Sequence, residues 1–209
     1  MPTLPRRVLA IVTDVVRAGG EASLLRIVDE AVRGGVNFVE VRAHGLNDTE
    51  LTALARKLVA TVSSRAIVVV NGPTSVALEA GASGVHLPES ARLNLSPLQG
   101  SLLVGRSVHS LESARKAAAE GVDYIILGTV FPSASHPGGV TVGTELVTEV
   151  TSAVDIPVIG IGGITAHNAA DVVAAGAAGV AVIGAIIGAD NPYAAANDLA
   201  QAVLSQEKA

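Results

Sequence analysis

Short apolar, β-branched runs recur along the chain, and between most of them the apolar residues return every three or four positions. The runs are VLAIVT (Val8–Thr13), VNFVEVR (Val36–Arg42), AIVVVN (Ala66–Asn71), SGVHL (Ser83–Leu87), LLVGRSV (Leu102–Val108), DYIILG (Asp123–Gly128), PVIGIG (Pro157–Gly162) and GVAVIG (Gly179–Gly184). Short runs that are apolar nearly throughout predict strands buried on both faces. Between them, stretches such as DTELTALARKLVATV and SLESARKAAAEG carry the period of an amphipathic helix. The phrases EAGASGVHL, AEGVDYIIL and AAGAAGVAV repeat one unit of helix end, glycine turn and strand. Eight strands is the number that closes a parallel barrel, so the expectation is an α/β fold, a (β/α)8 TIM barrel formed by residues 1–209 as a single domain. A doubly wound open sheet is the alternative. The pattern is weakest over Pro88–Gly100, which gives at best an irregular helix.

Composition supports a buried parallel barrel. Hydrophobic residues make up 49% of the 209 residues and charged residues 16%, and the only large aromatics are two Phe and two Tyr. Such a core is built from Val, Ile, Leu and Ala. The uncharged run Val172–Ala189 approaches membrane-spanning length. Its four glycines and the flanking Asp171 and Asp190 instead predict helix end, turn, buried strand and turn. The apolar run after PRR stops at Asp14, too early for a signal-peptide core. The expectation is a cytoplasmic protein with no membrane partner. A formal net charge of -5 without a dense basic cluster argues against nucleic acid as a partner. With no cysteine there is no thiol nucleophile and no thiolate metal site.

In a parallel barrel the chemistry sits where the strands end. GIGGITAHNAADV sets Gly162 and Gly163 between a strand and a helix with Thr165 as its expected N-cap, and VAVIGAI ends the next strand at Gly184 and Ala185. Loops after the seventh and eighth strands are the usual phosphate cradle of this fold, so these four residues are the candidate phosphate site. Arg42 closes the second strand; it either pairs with Glu40 on the same strand face or clamps an anionic substrate. Asn71, His86 and Ser107 end or nearly end the third, fourth and fifth strands and are candidate substrate contacts. His44, His136 and His167, each taken alone, read as surface residues. No H-x-H or HExxH spacing occurs, so no metal site is expected. His109 follows the fifth strand directly and precedes a helix starting near Ser110–Glu112. It either bonds neighbouring backbone or moves a proton.

Four phrases together, VEVRAHG, VVNGPTSVALEAGASGVHLPE, VGRSVHSLESARKAAAEGVDYIILGTVFPSASHPGG and IPVIGIGGITAHNAADVVAAGAAGVAVIGAI, resemble thiamine phosphate synthase and its TenI-type relative, thiazole tautomerase. The resemblance covers nearly the whole chain, in the family's order. It implies one of two chemistries. The synthase joins a pyrimidine pyrophosphate to thiazole phosphate with Mg²⁺. Its pattern has Asn-Asp after the third strand, a further Asp beyond the fourth, and a Thr-x-Thr-Lys loop after the sixth. Here those places read Asn71-Gly72, VHLPES without an Asp, and Ser133 and Ser135 followed by His136.

The departures point toward the tautomerase branch. The resemblance then implies a cofactor-independent isomerase that aromatises a small phosphorylated thiazole, with His109 as its catalytic proton shuttle and no metal. The alternatives are the synthase itself, a transferase, or a non-catalytic regulatory protein that binds a thiamine precursor. A homodimer is the assembly considered.

Overall fold

The structure, a computed structural model, describes residues 3–91, 101–133 and 141–204. Its eight strands are β1 (Val8–Val12), β2 (Phe38–Val41), β3 (Ile67–Asn71), β4 (Gly84–Leu87), β5 (Leu103–Val108), β6 (Tyr124–Gly128), β7 (Val158–Ile161) and β8 (Gly179–Val182). Each pairs in parallel with the next, and β8 returns to β1 with Val8 opposite Gly179. The closed circuit excludes the open sheet. The helices are α1 (Glu21–Arg33), α2 (Asp48–Val62), α3 (Thr74–Ala80), α4 (Leu111–Ala119), α5 (Gly143–Thr151), α6 (Ala169–Ala174), α7 (Gly184–Ile187) and α8 (Pro192–Leu204). The segment expected to be irregular, Pro88–Gly100, lies outside the described residues from 92 onward.

Strand alternation divides the core in two. One face of each strand packs on the helices, with Leu24, Leu54, Leu58, Ile125 and Leu199 among the fully buried residues there. The other face fills the barrel with Val8, Ala10, Phe38, Val69, Tyr124, Ile126, Ile159 and Ala181. Phe38 and Tyr124 meet edge to face with centroids 5.5 Å apart, a favoured aromatic geometry. Tyr124 fits because β5 has Gly105 beside it: a Cβ there would lie 2.0 Å from the phenol ring. This packed plug closes the barrel below the strand ends.

Local signals set the helix boundaries. Asn47 and Glu50 form a reciprocal capping box at the start of α2, and Ser110 and Ser113 form one at the start of α4. The repeated glycine turns carry Gly81, Gly121 and Gly176 at positive φ, the left-handed conformation that ends a helix cheaply only with glycine. Two expectations need correction. Thr165 does not cap α6: the helix starts at Ala169, and the Asn168 side chain accepts from the Thr165 N–H at 2.8 Å. The turn expected after β8 is the short helix α7, whose Ile186 and Ile187 are buried in the outer core. The run Val172–Ala189 thus divides into helix, strand and short helix, and no helix among the described residues is long and apolar enough to cross a membrane.

Candidate functional site

At the C-terminal ends of the strands opens a cavity of about 990 Å³. Arg42, Asn71, His86, Ser107, His109, Gly162, Gly163, Gly184 and Ala185 all line it. Barrel closure brings together residues from loops far apart in sequence. His44, expected at the surface, also lines the cavity, whereas His167 is exposed and His136 lies outside the described residues.

The floor is a buried polar layer. Glu40, 3% exposed, accepts from Asn71 Nδ2 at 2.7 Å. The Glu40–Arg42 pairing weighed from the strand period is therefore not formed. Beside it, His86 is 1% exposed, with Nε2 2.8 Å from Ser107 Oγ and Nδ1 3.3 Å from the Tyr124 hydroxyl. Burial holds the His86 pKa below its ordinary value, and the neighbouring Glu40 charge opposes that shift without cancelling it. Burial, then the charges of Glu40 and Asp123, push the Tyr124 phenol well above its ordinary value, so it stays protonated. Its hydroxyl has His86 as partner, so it donates to Nδ1. The Nε2–H of neutral His86 then donates to Ser107, whose own hydrogen is left for a ligand.

The rim has three sectors. At the ends of β1 and β2, the Thr13 hydroxyl pins the backbone of Arg42, accepting from its N–H and donating to its C=O, each at 2.9 Å. The Arg42 guanidinium reaches His44 Nε2 at 2.5 Å and meets no carboxylate among the described residues. At the ends of β7 and β8, the N–H groups of Gly163, Gly184 and Ala185 take no backbone partner among the described residues. Gly162 and Gly163 lie at positive φ, and a Cβ on Gly163 would fall 2.4 Å from the Pro132 carbonyl oxygen. That glycine is needed because two loops press together there. Gly184 differs: a Cβ on it would meet only the guanidinium end of Arg17, at 2.7 Å.

The third sector, at the ends of β4 and β5, carries His109. Its Nδ1 lies 2.6 Å from Glu89 Oε2, both side chains being substantially exposed. A carboxylate at Nδ1 fixes the ring and leaves Nε2 as the exchangeable nitrogen. Arg106, on the outer face of β5 and buried, supports this pair. It donates to the carbonyls of Glu89 and Ala91 and pairs with Glu120. Sequence reasoning missed Arg106 and Arg17. A charged residue inside an apolar strand, GRSV, was the available signal for Arg106.

Comparison with known proteins gives a consistent picture. The family model described as thiamine monophosphate synthase matches residues 9–186. A thiamine-phosphate synthase of Roseiflexus castenholzii is 40% identical over 202 residues, covering 93% of this chain and 87% of that protein. One from Haloarcula marismortui is 42% identical over 187 residues, covering 85% and 88%. The solved thiamine phosphate pyrophosphorylase from Pyrococcus furiosus superposes with a TM-score of 0.84 at 30% identity, covering 96% of each chain. The relatives carry the synthase name and are transferases, which overturns the expectation of a TenI-type isomerase. Acidic residues missing from a motif concern how a metal would be held. They do not decide whether two substrates meet.

Proposed function

The chain belongs to the thiamine monophosphate synthase family, and from that premise we propose that it is a transferase joining a pyrimidine pyrophosphate to thiazole phosphate. The observation that carries the reading is one cavity with two separate anion-receiving sectors, Arg42 with His44 on one side and, on another, the N–H groups of Gly163, Gly184 and Ala185, which take no backbone partner among the described residues. A volume of about 990 Å³ is at the upper end for a small-molecule site and suits two phosphorylated heterocycles side by side.

In this reaction the thiazole ring nitrogen forms a bond to the exocyclic carbon of the pyrimidine. The bond from that carbon to pyrophosphate breaks, and the leaving oxygen takes the electron pair. The thiazole ends as a thiazolium, and neither ring loses a proton. Gly162, Gly163, Gly184 and Ala185 hold the thiazole phosphate by backbone N–H groups. Asn71, Ser107 and, through Ser107, His86 orient the pyrimidine edge over the floor, while Arg42 receives the pyrophosphate. His109, acting as the imidazolium whose Nδ1–H is held by Glu89, hands its Nε2 proton to the departing pyrophosphate and is left as the neutral ring, general-acid help in the usual sense. Holding both reactants in one cavity supplies the proximity that the bimolecular step needs.

The Mg²⁺ implied by the family resemblance does not fit the residues present. No group of three or more His, Asp or Glu side chains among the described residues is arranged to hold a metal ion. A side chain at position 72 would start 2.9 Å from Leu51 Cδ2, against the hydrocarbon of α2.

The test is incubation with both substrates, following pyrophosphate release and thiamine phosphate by mass spectrometry. Release is expected only when both are present. Binding of both substrates without product at stoichiometric enzyme would overturn the reading.

A further inference from the structure

A site that releases pyrophosphate must neutralise several negative charges close together. We propose that this chain binds pyrophosphate as the free anion, on Arg42 and Arg17, which line the same cavity, with no bridging divalent cation. The identity of the anion rests on the transferase reading above; the charge arrangement does not.

Mg²⁺ at phosphate sites is commonly held by one or two carboxylates together with the substrate oxygens. Among the described residues two carboxylates line this cavity: Glu40, whose Oε1 accepts from Asn71 at 2.7 Å, and Glu89, whose Oε2 meets His109 at 2.6 Å. No group of three or more His, Asp or Glu side chains among the described residues is arranged to hold a metal ion, so neither carboxylate belongs to a ligand set. The internal segments outside the described residues, 92–100 and 134–140, contain no Asp or Glu to supply a further ligand.

The cationic side is arranged in the opposite way. The Arg42 main chain is pinned in both directions by Thr13, itself 2% exposed, so the guanidinium projects from a fixed base. Its side-chain partner is an imidazole nitrogen, which neutralises none of its charge. Arg17 lies against Gly184 and lines the same cavity, with Asp14 as an outlying partner 4.0 Å from its Nε. A guanidinium offers phosphate oxygens a paired set of donors, which replaces the metal as both charge and template.

The test is calorimetric titration with inorganic pyrophosphate, first in EDTA and then with excess Mg²⁺. Binding in EDTA is expected to be as tight as with Mg²⁺ or tighter. Arg42→Gln should weaken the EDTA binding by about 10- to 100-fold, the scale of a lost charged hydrogen bond. Arg42→Lys, which keeps the charge but loses the fork, should weaken it less. Binding that appears only with Mg²⁺ and saturates with it would overturn the inference, as would EDTA binding indifferent to Arg42→Gln in folded protein. The readout needs no turnover. Absent coupling with intact, Arg42-dependent EDTA binding would remove the transferase reading and leave this one standing, and coupling with strictly Mg²⁺-dependent binding would do the reverse.

Discussion

Two rims of the same cavity are built on opposite principles. The β7–β8 rim presents backbone, and it does so by omitting side chains: Gly163 lies at positive φ with its would-be Cβ 2.4 Å from the Pro132 carbonyl. The β4–β5 rim presents side chains, His109 and Glu89, which are 65% and 41% exposed and held together by one 2.6 Å contact. A backbone rim is positioned by loop packing and has little freedom to shift. A side-chain rim is positioned by partners, and here the partner chain runs from His109 to Glu89 to Arg106. The first kind suits holding a phosphate still, the second suits moving a proton.

The sharpest way to break the contrast is to place a side chain on the backbone rim. Gly163→Asp must fit Cβ between two carbonyl groups in a left-handed conformation. It should cost about 2–6 kcal/mol in urea denaturation, from backbone strain and overpacking together. Gly184→Ala, facing only the guanidinium end of a long Arg17 side chain, should stay within about 1 kcal/mol of the parent. Equal midpoints for the two variants would show that the β6 and β7 loops are not packed as described.

On the side-chain rim the expected loss moves from folding to rate. His109→Asn keeps a polar group of similar reach but exchanges no proton near neutral pH. The kcat for pyrophosphate release should fall about 10²–10⁴-fold, the usual worth of a general acid, with the melting temperature unchanged. An unaltered kcat would reduce His109 to a residue at the start of α4.

This contrast also explains what the sequence disclosed. The barrel was legible because its eight buried runs, its capping residues and its glycine turns are local signals, readable within about ten residues. The backbone rim was legible for the same reason: GIGG and IGA announce it. The side-chain rim was legible only in part. His109 is conspicuous after β5, but its partner Glu89 lies 20 residues away and reaches it through a loop. Arg42 offered two readings, and the long-range contact of Glu40 with Asn71, 31 residues on from Glu40, decided against its pairing with Glu40. Gly72 and the loop after His86 point to the wrong branch because a few acidic positions bear on metal binding, whereas the likeness to the synthases runs through the whole chain.

A smaller effect is expected one step behind His109. Arg106 is 4% exposed and holds the Glu89 and Ala91 carbonyls together with Glu120. Arg106→Met strands those acceptors and should cost about 2–4 kcal/mol of stability. If Arg106 also positions Glu89, kcat should fall by about 10- to 100-fold, the scale of a slight misplacement, without abolishing turnover. A stability loss with unchanged kcat would make Arg106 a structural anchor only.

The smallest effect lies beneath both rims and is a slope in stability against pH. His86 is neutral in the folded barrel because burial lowers its pKa from the ordinary 6.5, with Glu40 opposing the shift. The unfolded chain therefore binds a proton that the folded chain resists in the window from about 6.5 down to the lowered value. Stability from this group is fully present above that window and is lost as the pH falls through it. One proton sets a ceiling of about 1.4 kcal/mol per pH unit. His86→Gln removes the titration, and whatever it costs at pH 8, its unfolding free energy should fall less steeply than the parent's between pH 7 and pH 5. Parallel curves from chemical denaturation at several pH values would mean that His86 takes up its proton as readily in the folded barrel as in the unfolded chain, and that the floor beneath the cavity is wet.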